Sequence, residues 1–363
     1  MNVLTFLLSF AIILIGCEFF TNGVEWLGKR YNLSEGAVGS VLAAVGTAMP
    51  ETIIPIIAIV FLGSSGGEEI GVGAILGAPF MLATLAMFVM GLSVLIFARR
   101  RKTNVLNING KLIRRDLKFF IIAYSLAALA AFVPPELDLL RWIIGFSLIP
   151  LYIYYTYRTV IKDESRCEEN VKDLYFHRAV CRLRNGRDYY EGVPDRVSET
   201  FRKAVYKEEP PTYLIFVQVI MGLLAIIVGA NLFVQQINEI ATILGIDQLI
   251  LALIIAPIAT ELPEKFNSVL WIREKKDTYA MGNVTGAMVF QSCIPVTIGI
   301  LLTDWHINLS DSVQFLQACS IGIALLSGSV LYIRASDTKL HSYGLMLGGA
   351  LYVLFIILVL TVL

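Results

Sequence analysis

The sequence predicts an all-α integral membrane protein of ten transmembrane helices, arranged as two five-helix repeats of inverted topology. Three observations predict it: a composition too apolar for water, ten long apolar runs, and the recurrence of one half of the chain in the other. Of the 363 residues 56% are hydrophobic and 16% are charged, against about a quarter charged in soluble domains. Ten spans of about twenty residues would occupy about 200 positions, so the composition needs no large soluble domain. Lys plus Arg equals Asp plus Glu at 29 each, so no net field recruits nucleic acid or an acidic partner.

The first apolar run, 3 to 22, has no basic start and no small-residue cleavage site, and it continues into Trp26 and Leu27. It therefore reads as a span rather than a leader. Further runs follow at 36–62, 72–98, 117–135, 139–160, 213–237, 248–272, 280–303, 313–333 and 342–363. They are continuously apolar and do not alternate with period two, which excludes a membrane β-barrel. The predicted units are a first repeat over 1–160, a linker over 161–212 and a second repeat over 213–363.

Positive charge sets the orientation. Alternate connections hold Lys29 and Arg30, then Arg99 to Lys118 with eight positive residues, then Arg273, Lys275 and Lys276, then Arg334 and Lys339. The intervening connections, 63–71, 136–138, 238–247 and 304–312, hold no Lys or Arg. Both termini are expected outside and the linker inside. The linker mixes both signs of charge densely and ends at Pro210 and Pro211, so it reads as a solvated tether with short amphipathic helices. Within it Cys167, His177 and Cys181 fall at C-x9-H-x3-C spacing, wider than the C-x2-4-C pair of zinc frameworks, and are expected to be idle.

Sliding the chain on itself by 213 residues brings Gly16 onto Gly229, Phe20 onto Phe233, Ala43 onto Ala256, Thr47 onto Thr260, Pro50 onto Pro263 and Glu51 onto Glu264. Gly73 and Gly77 match Gly282 and Gly286 at an offset of 209, as a loop four residues shorter would produce. Five spans per half is an odd number, so the second copy enters from the opposite face. Inverted repeats of this kind place an ion or substrate site at the midplane, on interrupted helices.

The matched interruptions carry the chemistry. Thr47 stands four residues before Glu51 and Thr260 four before Glu264, on one helical face. Pro50 and Pro263 have no N–H to give to the carbonyls of Gly46 and Ala259, so each helix opens one turn before its carboxylate. Carbonyls, hydroxyls and carboxylates are hard ligands suited to Ca2+ or Na+. A Thr that bonds back to its own helix and a Pro that merely kinks it would explain two of the three residues. A carboxylate within a span costs about 2.5 to 3.5 kcal/mol on insertion scales and marks function. Here it occurs twice.

These residues resemble a known family. G-T-x-x-P-E (Gly46 to Glu51), A-T-E-L-P-E (Ala259 to Glu264) and G-N-x-x-G (Gly282 to Gly286) are similar to the α-repeats of the sodium/calcium exchangers within the cation/Ca2+ antiporters. Gly16 to Phe20 and Gly229 to Phe233 resemble that family's G-A-E-L-F segment. The resemblance implies alternating-access exchange of a cation, Ca2+ in the family, against Na+ or H+. It makes Glu51 and Glu264 the central ligands, with Thr47 and Thr260 beside them, and needs no cofactor. It also places Glu261, Ala48, Ala78, Ala287, Leu82 and Gln291 where the family builds its flanking Na+ sites. Four of those six offer no side-chain oxygen, so three-sodium coupling is not expected, and Glu51, Glu261 and Glu264 provide surplus carboxylate for protons. Pro79 and Pro257 depart from the pattern and are expected to alter the helix breaks.

Glu261 and Lys265 form an i, i+4 pair in the favourable order, so they neutralise one another, or else Lys265 enters the site as a built-in cation. Glu18, matched to Asn231, reads as a gate or hydrogen-bond partner. An intramembrane enzyme is disfavoured: His177, His306 and His341 lie outside or at the ends of spans and no Asp falls inside one, which removes the usual dyads. A non-transporting, sensor-like member of the same fold is the alternative. The partners expected are cations and the lipid bilayer of a plasma membrane.

Overall fold

The computed structural model describes residues 3–48, 51–52, 55, 59, 67–161, 171–185, 209–244, 261–336 and 338–362. Helix α1 (Val3–Arg30) is followed by α2 (Ala37–Thr47) and by α3, which runs through Gly67–Met81, Leu82–Ala86 and Met87–Ile96. Then come α4 (Gly110–Ala131), α5 (Asp138–Ile161), α6 (Tyr175–Asn185), α7 (Thr212–Leu244), α8 (Leu262–Arg273), α9 (Asp277–Leu302), α10 (Ser312–Arg334) and α11 (Ser342–Val362). Two short strands, β1 (Val105–Asn107) and β2 (Lys339–His341), pair antiparallel, with Leu106 opposite Leu340. That short ribbon, three residues per strand, is the one departure from helix and turn among the described residues.

Among the described residues seven helices are long and apolar enough to cross a bilayer: Leu7–Arg30, Gly71–Ile96, Asp138–Ile161, Thr212–Gly229, Asp277–Leu302, Gln314–Arg334 and Ser342–Val362. The chain is thus an all-helical, multi-pass membrane protein. Two of the other expected spans, 36–62 and 248–272, run partly outside the described residues. The third, 117–135, is a helix that starts earlier, at Gly110, and takes in Lys111, Arg114, Arg115, Asp116 and Lys118.

Helix α9 is central. It is buried over nearly its whole length, polar residues included, packing on α2, α3, α4, α5 and α8, as a helix with no solvent-facing polar side must. The outer helices α5, α7 and α11 turn Leu139, Ile143, Phe216, Ile220, Leu354 and Leu360 outward, an apolar surface fit for lipid. In α3, Pro79 has no N–H to donate, and three residues later the helix widens into a π turn over Leu82–Ala86. A second π turn occupies Ala37–Ala43 in α2.

Helices α1 and α7 lie antiparallel with their backbones touching at glycines. A β-carbon on Gly16 would stand 3.0 Å from the Ile226 nitrogen, and one on Gly229 would stand 3.1 Å from the Ile13 nitrogen. Adding or subtracting 213 turns the first of these contacts into the second. The interface therefore maps onto itself, as an axis lying across two antiparallel helices requires.

The lysine- and arginine-bearing connections meet at one end of the molecule. Arg101 pairs with Asp277, Asn107 N donates to Asp277, β1 pairs with β2, and Lys172 pairs with Glu274. Arg30 pairs with Glu209 there. At the other end Arg141 pairs with Asp304, and Ile307 N donates to Ala131 O. Part of the linker docks against the bundle: Leu174 is buried among Trp26, Leu27, Leu214 and Ile215, and Phe19 packs on Tyr175 and Phe176. In α6 Cys181 Sγ lies 3.6 Å from His177 Nε2; Cys167 is outside the described residues.

Candidate cation site

Helix α2 ends at Thr47, where Ala48 N closes the last bond to Ala44 O. The chain is helical again at Glu51 and Thr52, whose hydroxyl donates to Ala48 O at 3.0 Å. In the second half α8 begins at Leu262, behind Glu261, with Pro263 and Glu264 in its first turn. Glu51 thus follows the end of α2, and Glu264 lies in the first turn of α8, at the positive end of that helix's dipole.

Glu51 is 5% exposed and Glu264 0%. Both oxygens of each carboxylate are buried without a hydrogen-bond partner among the described residues. One comes from each half, and they are near enough for their negative charges to repel one another. Thr47 lies beside Glu264, with its hydroxyl 3.0 Å from Ala43 O and 3.4 Å from Asn283 Oδ1. Asn283 Nδ2 donates to Glu264 O at 3.1 Å and lies 3.4 Å from Ser268 Oγ. Asn283 therefore bridges the two halves beside the carboxylates. Sequence reasoning had it inside G-N-x-x-G without giving it a role; the signal was a polar amide between two glycines in an apolar run.

The other expected residues are distributed more unevenly. Glu261 is fully buried, with Oε2 at 3.1 Å from Lys265 Nζ and Oε1 unpartnered. The neutralising pair is thus formed. Gln291 is buried in α9, two turns beyond Asn283, and neither its Oε1 nor its Nε2 has a partner among the described residues. Thr260 and Pro257 are outside the described residues. Ala48, Ala78, Leu82 and Ala287 are all buried and bring no oxygen. Glu18 accepts from the Tyr175 hydroxyl at 2.7 Å, so its partner lies on the linker rather than on another span. Burial and the Glu18 charge hold the Tyr175 phenol above its ordinary pKa, which keeps it a donor.

Asp116, one residue before the predicted span, lies inside α4, fully buried, accepting from Ser40 Oγ at 2.7 Å and Thr285 Oγ1 at 2.9 Å. Its neighbours Arg114, Arg115 and Lys118 make the segment read as solvated, which pushed the predicted span past it.

The buried charges sort themselves. Glu25 pairs with Lys276 at 2.6 Å, Arg101 with Asp277 at 2.7 Å, Glu261 with Lys265 at 3.1 Å, and Asp116 with Arg115 at 3.7 Å. Only Glu51 and Glu264, among the described buried carboxylates, have no ion pair. Among the described residues no group of three or more His, Cys, Asp or Glu side chains is gathered as a soft-metal centre would require; the donors at hand are paired carboxylates with hydroxyl and amide oxygens.

A family model for the sodium/calcium exchanger protein matches residues 1–161 and 214–363, both halves without the linker. The chain belongs to the sodium/calcium exchanger family. That is a family of membrane transporters, not of enzymes. Sodium/calcium exchanger MaX1 of Methanosarcina acetivorans is 23% identical over 342 residues, covering 90% of this chain and 89% of that protein. Inner membrane protein YrbG of Escherichia coli is 20% identical over 328 residues, covering 85% and 88%. A structure of the sodium-calcium exchanger NCX_Mj soaked with Na+ and Sr2+ shares the fold with a TM-score of 0.69, at 21% identity, over 98% of this chain and 97% of that one.

Proposed function

We propose that this exchanger-family chain is a secondary active antiporter that moves Ca2+ against Na+ or H+ through one site between Glu51 and Glu264. The observation that carries this reading is the pair of buried carboxylates, one from each half, that have no hydrogen-bond partner and no direct ion pair among the described residues. Buried charge without a partner is strongly destabilising, so a chain that keeps two such groups side by side has them to hold a cation. Thr47, Thr260 and Gln291 complete the ligand set in this reading, and Glu261 acts through Lys265.

The ten-span architecture of two inverted repeats, 1–160 and 213–363 about the linker 161–212, belongs to the same proposal. The self-mapping contact of α1 with α7 supports it, and so does the gathering of the positive connections at one end. With that end in the cytoplasm, both termini lie outside a plasma membrane. Alternating access then exposes a single midplane site to each side in turn.

The second reading, a non-transporting sensor of the same fold, is favoured by the buried Ala48, Ala78, Leu82 and Ala287. Proteoliposomes separate the two. Purified protein should take up Ca2+ when an outward Na+ gradient or a pH gradient is imposed, and Glu51→Gln should stop it. Ca2+ binding without flux under either gradient would establish the sensor.

A further inference from the structure

We propose that the Glu261–Lys265 pair sets the charge of the site at two negatives, so that one divalent cation exchanges against two monovalent cations with no net charge moved. This rests on the antiporter reading of the same site and adds its stoichiometry.

Lys265 is buried, with its ammonium 3.1 Å from Glu261 Oε2, and its charge acts on both Glu51 and Glu264. Three carboxylates and one ammonium therefore share one water-poor region. Glu51, Glu261 and Glu264 contribute three negatives and Lys265 one positive, leaving two negatives. Among the described residues the other titratable groups close by are the Cys17 thiol, 4.0 Å from Pro263 O, and the Tyr352 phenol near Glu261; neither carries charge in its ordinary protonated form.

Every other buried carboxylate among the described residues is already balanced by a cation. A site that must cross between access states inside this apolar bundle is under the same demand, because uncompensated buried charge is costly. One Ca2+ brings it to zero, and so do two Na+ or two H+. A third monovalent ion would leave a net positive charge, and Lys265 already stands as a resident cation. The pair is peculiar to one half: the positions matching Glu261 and Lys265 at the 213-residue offset are Ala48 and Thr52.

The test uses the full chain in proteoliposomes, with Ca2+ uptake driven by an outward Na+ gradient or a pH gradient. The potential is clamped with K+ and valinomycin at zero or inside-negative. The final Ca2+ gradient should be the same at both settings. One net charge per cycle would shift it about fiftyfold for 100 mV, and a shift of that size overturns the proposal. Lys265→Met raises the site to three negatives, and its Ca2+ exchange should become voltage-sensitive. The double variant Glu261→Gln with Lys265→Met returns the site to two negatives and should be voltage-insensitive again. A voltage-insensitive Lys265→Met overturns the assignment of Lys265. Where that variant does not fold, the double variant carries the test, since it removes both charges together, and voltage-sensitive exchange by it is the overturning result. Absence of any Ca2+ flux in the unaltered protein overturns the antiporter reading, and the stoichiometry with it.

Discussion

The backbone of Gly286 lies directly against the carbonyl of Ser40, so that any β-carbon at that glycine would overlap the carbonyl oxygen. Gly282 meets the same residue, with a β-carbon 2.8 Å from Ser40 Oγ. This contact presses α9 onto the π turn of α2, and so brings Asn283 to Thr47. Gly286→Ala should separate the two helices, cost about 1 to 3 kcal/mol or more as overpacking does, and lower the thermal midpoint in detergent. It should also reduce Ca2+ flux even where the protein still folds. A variant with unchanged midpoint and flux would show that the two helices yield freely.

Glu51→Gln and Glu264→Gln each remove one carboxylate charge and keep the size of the side chain. Each is expected to abolish divalent-cation flux and the rise in thermal midpoint that added Ca2+ gives. Neither should lower the midpoint without Ca2+, because each removes an unpaired buried charge that repels its neighbour. Flux retained in either variant would remove that carboxylate from the site.

Asp277 accepts from both terminal nitrogens of Arg101, at 2.8 and 2.7 Å, and from Asn107 N at 2.8 Å. It thereby ties β1 to the start of α9. Asp277→Ala strands a buried guanidinium and should cost about 3 to 5 kcal/mol, read as a large fall in the detergent unfolding midpoint. The joint change Arg101→Met with Asp277→Ala should recover much of that loss. An Asp277→Ala protein as stable as the parent would mean that the pair is open to water.

Leu174 anchors the linker in the small cluster of Trp26, Leu27, Leu214 and Ile215. Leu174→Ala should cost about 2 to 5 kcal/mol where the cavity stays open, and the loss should fall on linker docking. Limited proteolysis around Val171 to Cys181 should accelerate, with the midpoint of the helical bundle little changed. Tyr175→Phe, which deletes the bond to Glu18, should act in the same direction more weakly.

Glu51 and Glu264 were legible because a carboxylate in an apolar run is conspicuous, and the 213-residue offset made each the confirmation of the other. The glycines at 16 and 229 were legible for the same reason, although what they touch was not. Asp116 was hidden because its partners, Ser40 and Thr285, are distant in sequence and its neighbours are basic. Asn283 was hidden because an amide carries no charge to mark it. The ribbon of β1 and β2 has only three residues per strand, too few for a period to show. The docking of Leu174 and Tyr175 depends on surfaces of α1 and α7 that exist only after those helices have met.

The contact between α1 and α7 has the form of an interface between two copies of one object, in which each surface is its own complement. Were the halves separate and identical chains, every substitution at the site would arrive in duplicate. A Glu and a Lys at the positions of Glu261 and Lys265 would then stand on both sides of the paired carboxylates, in place of Ala48 and Thr52. Continuity of the chain through the linker frees the two sides to differ. A single ammonium can therefore be placed against a two-carboxylate centre, a charge distribution that no symmetric pair of half-molecules is able to make.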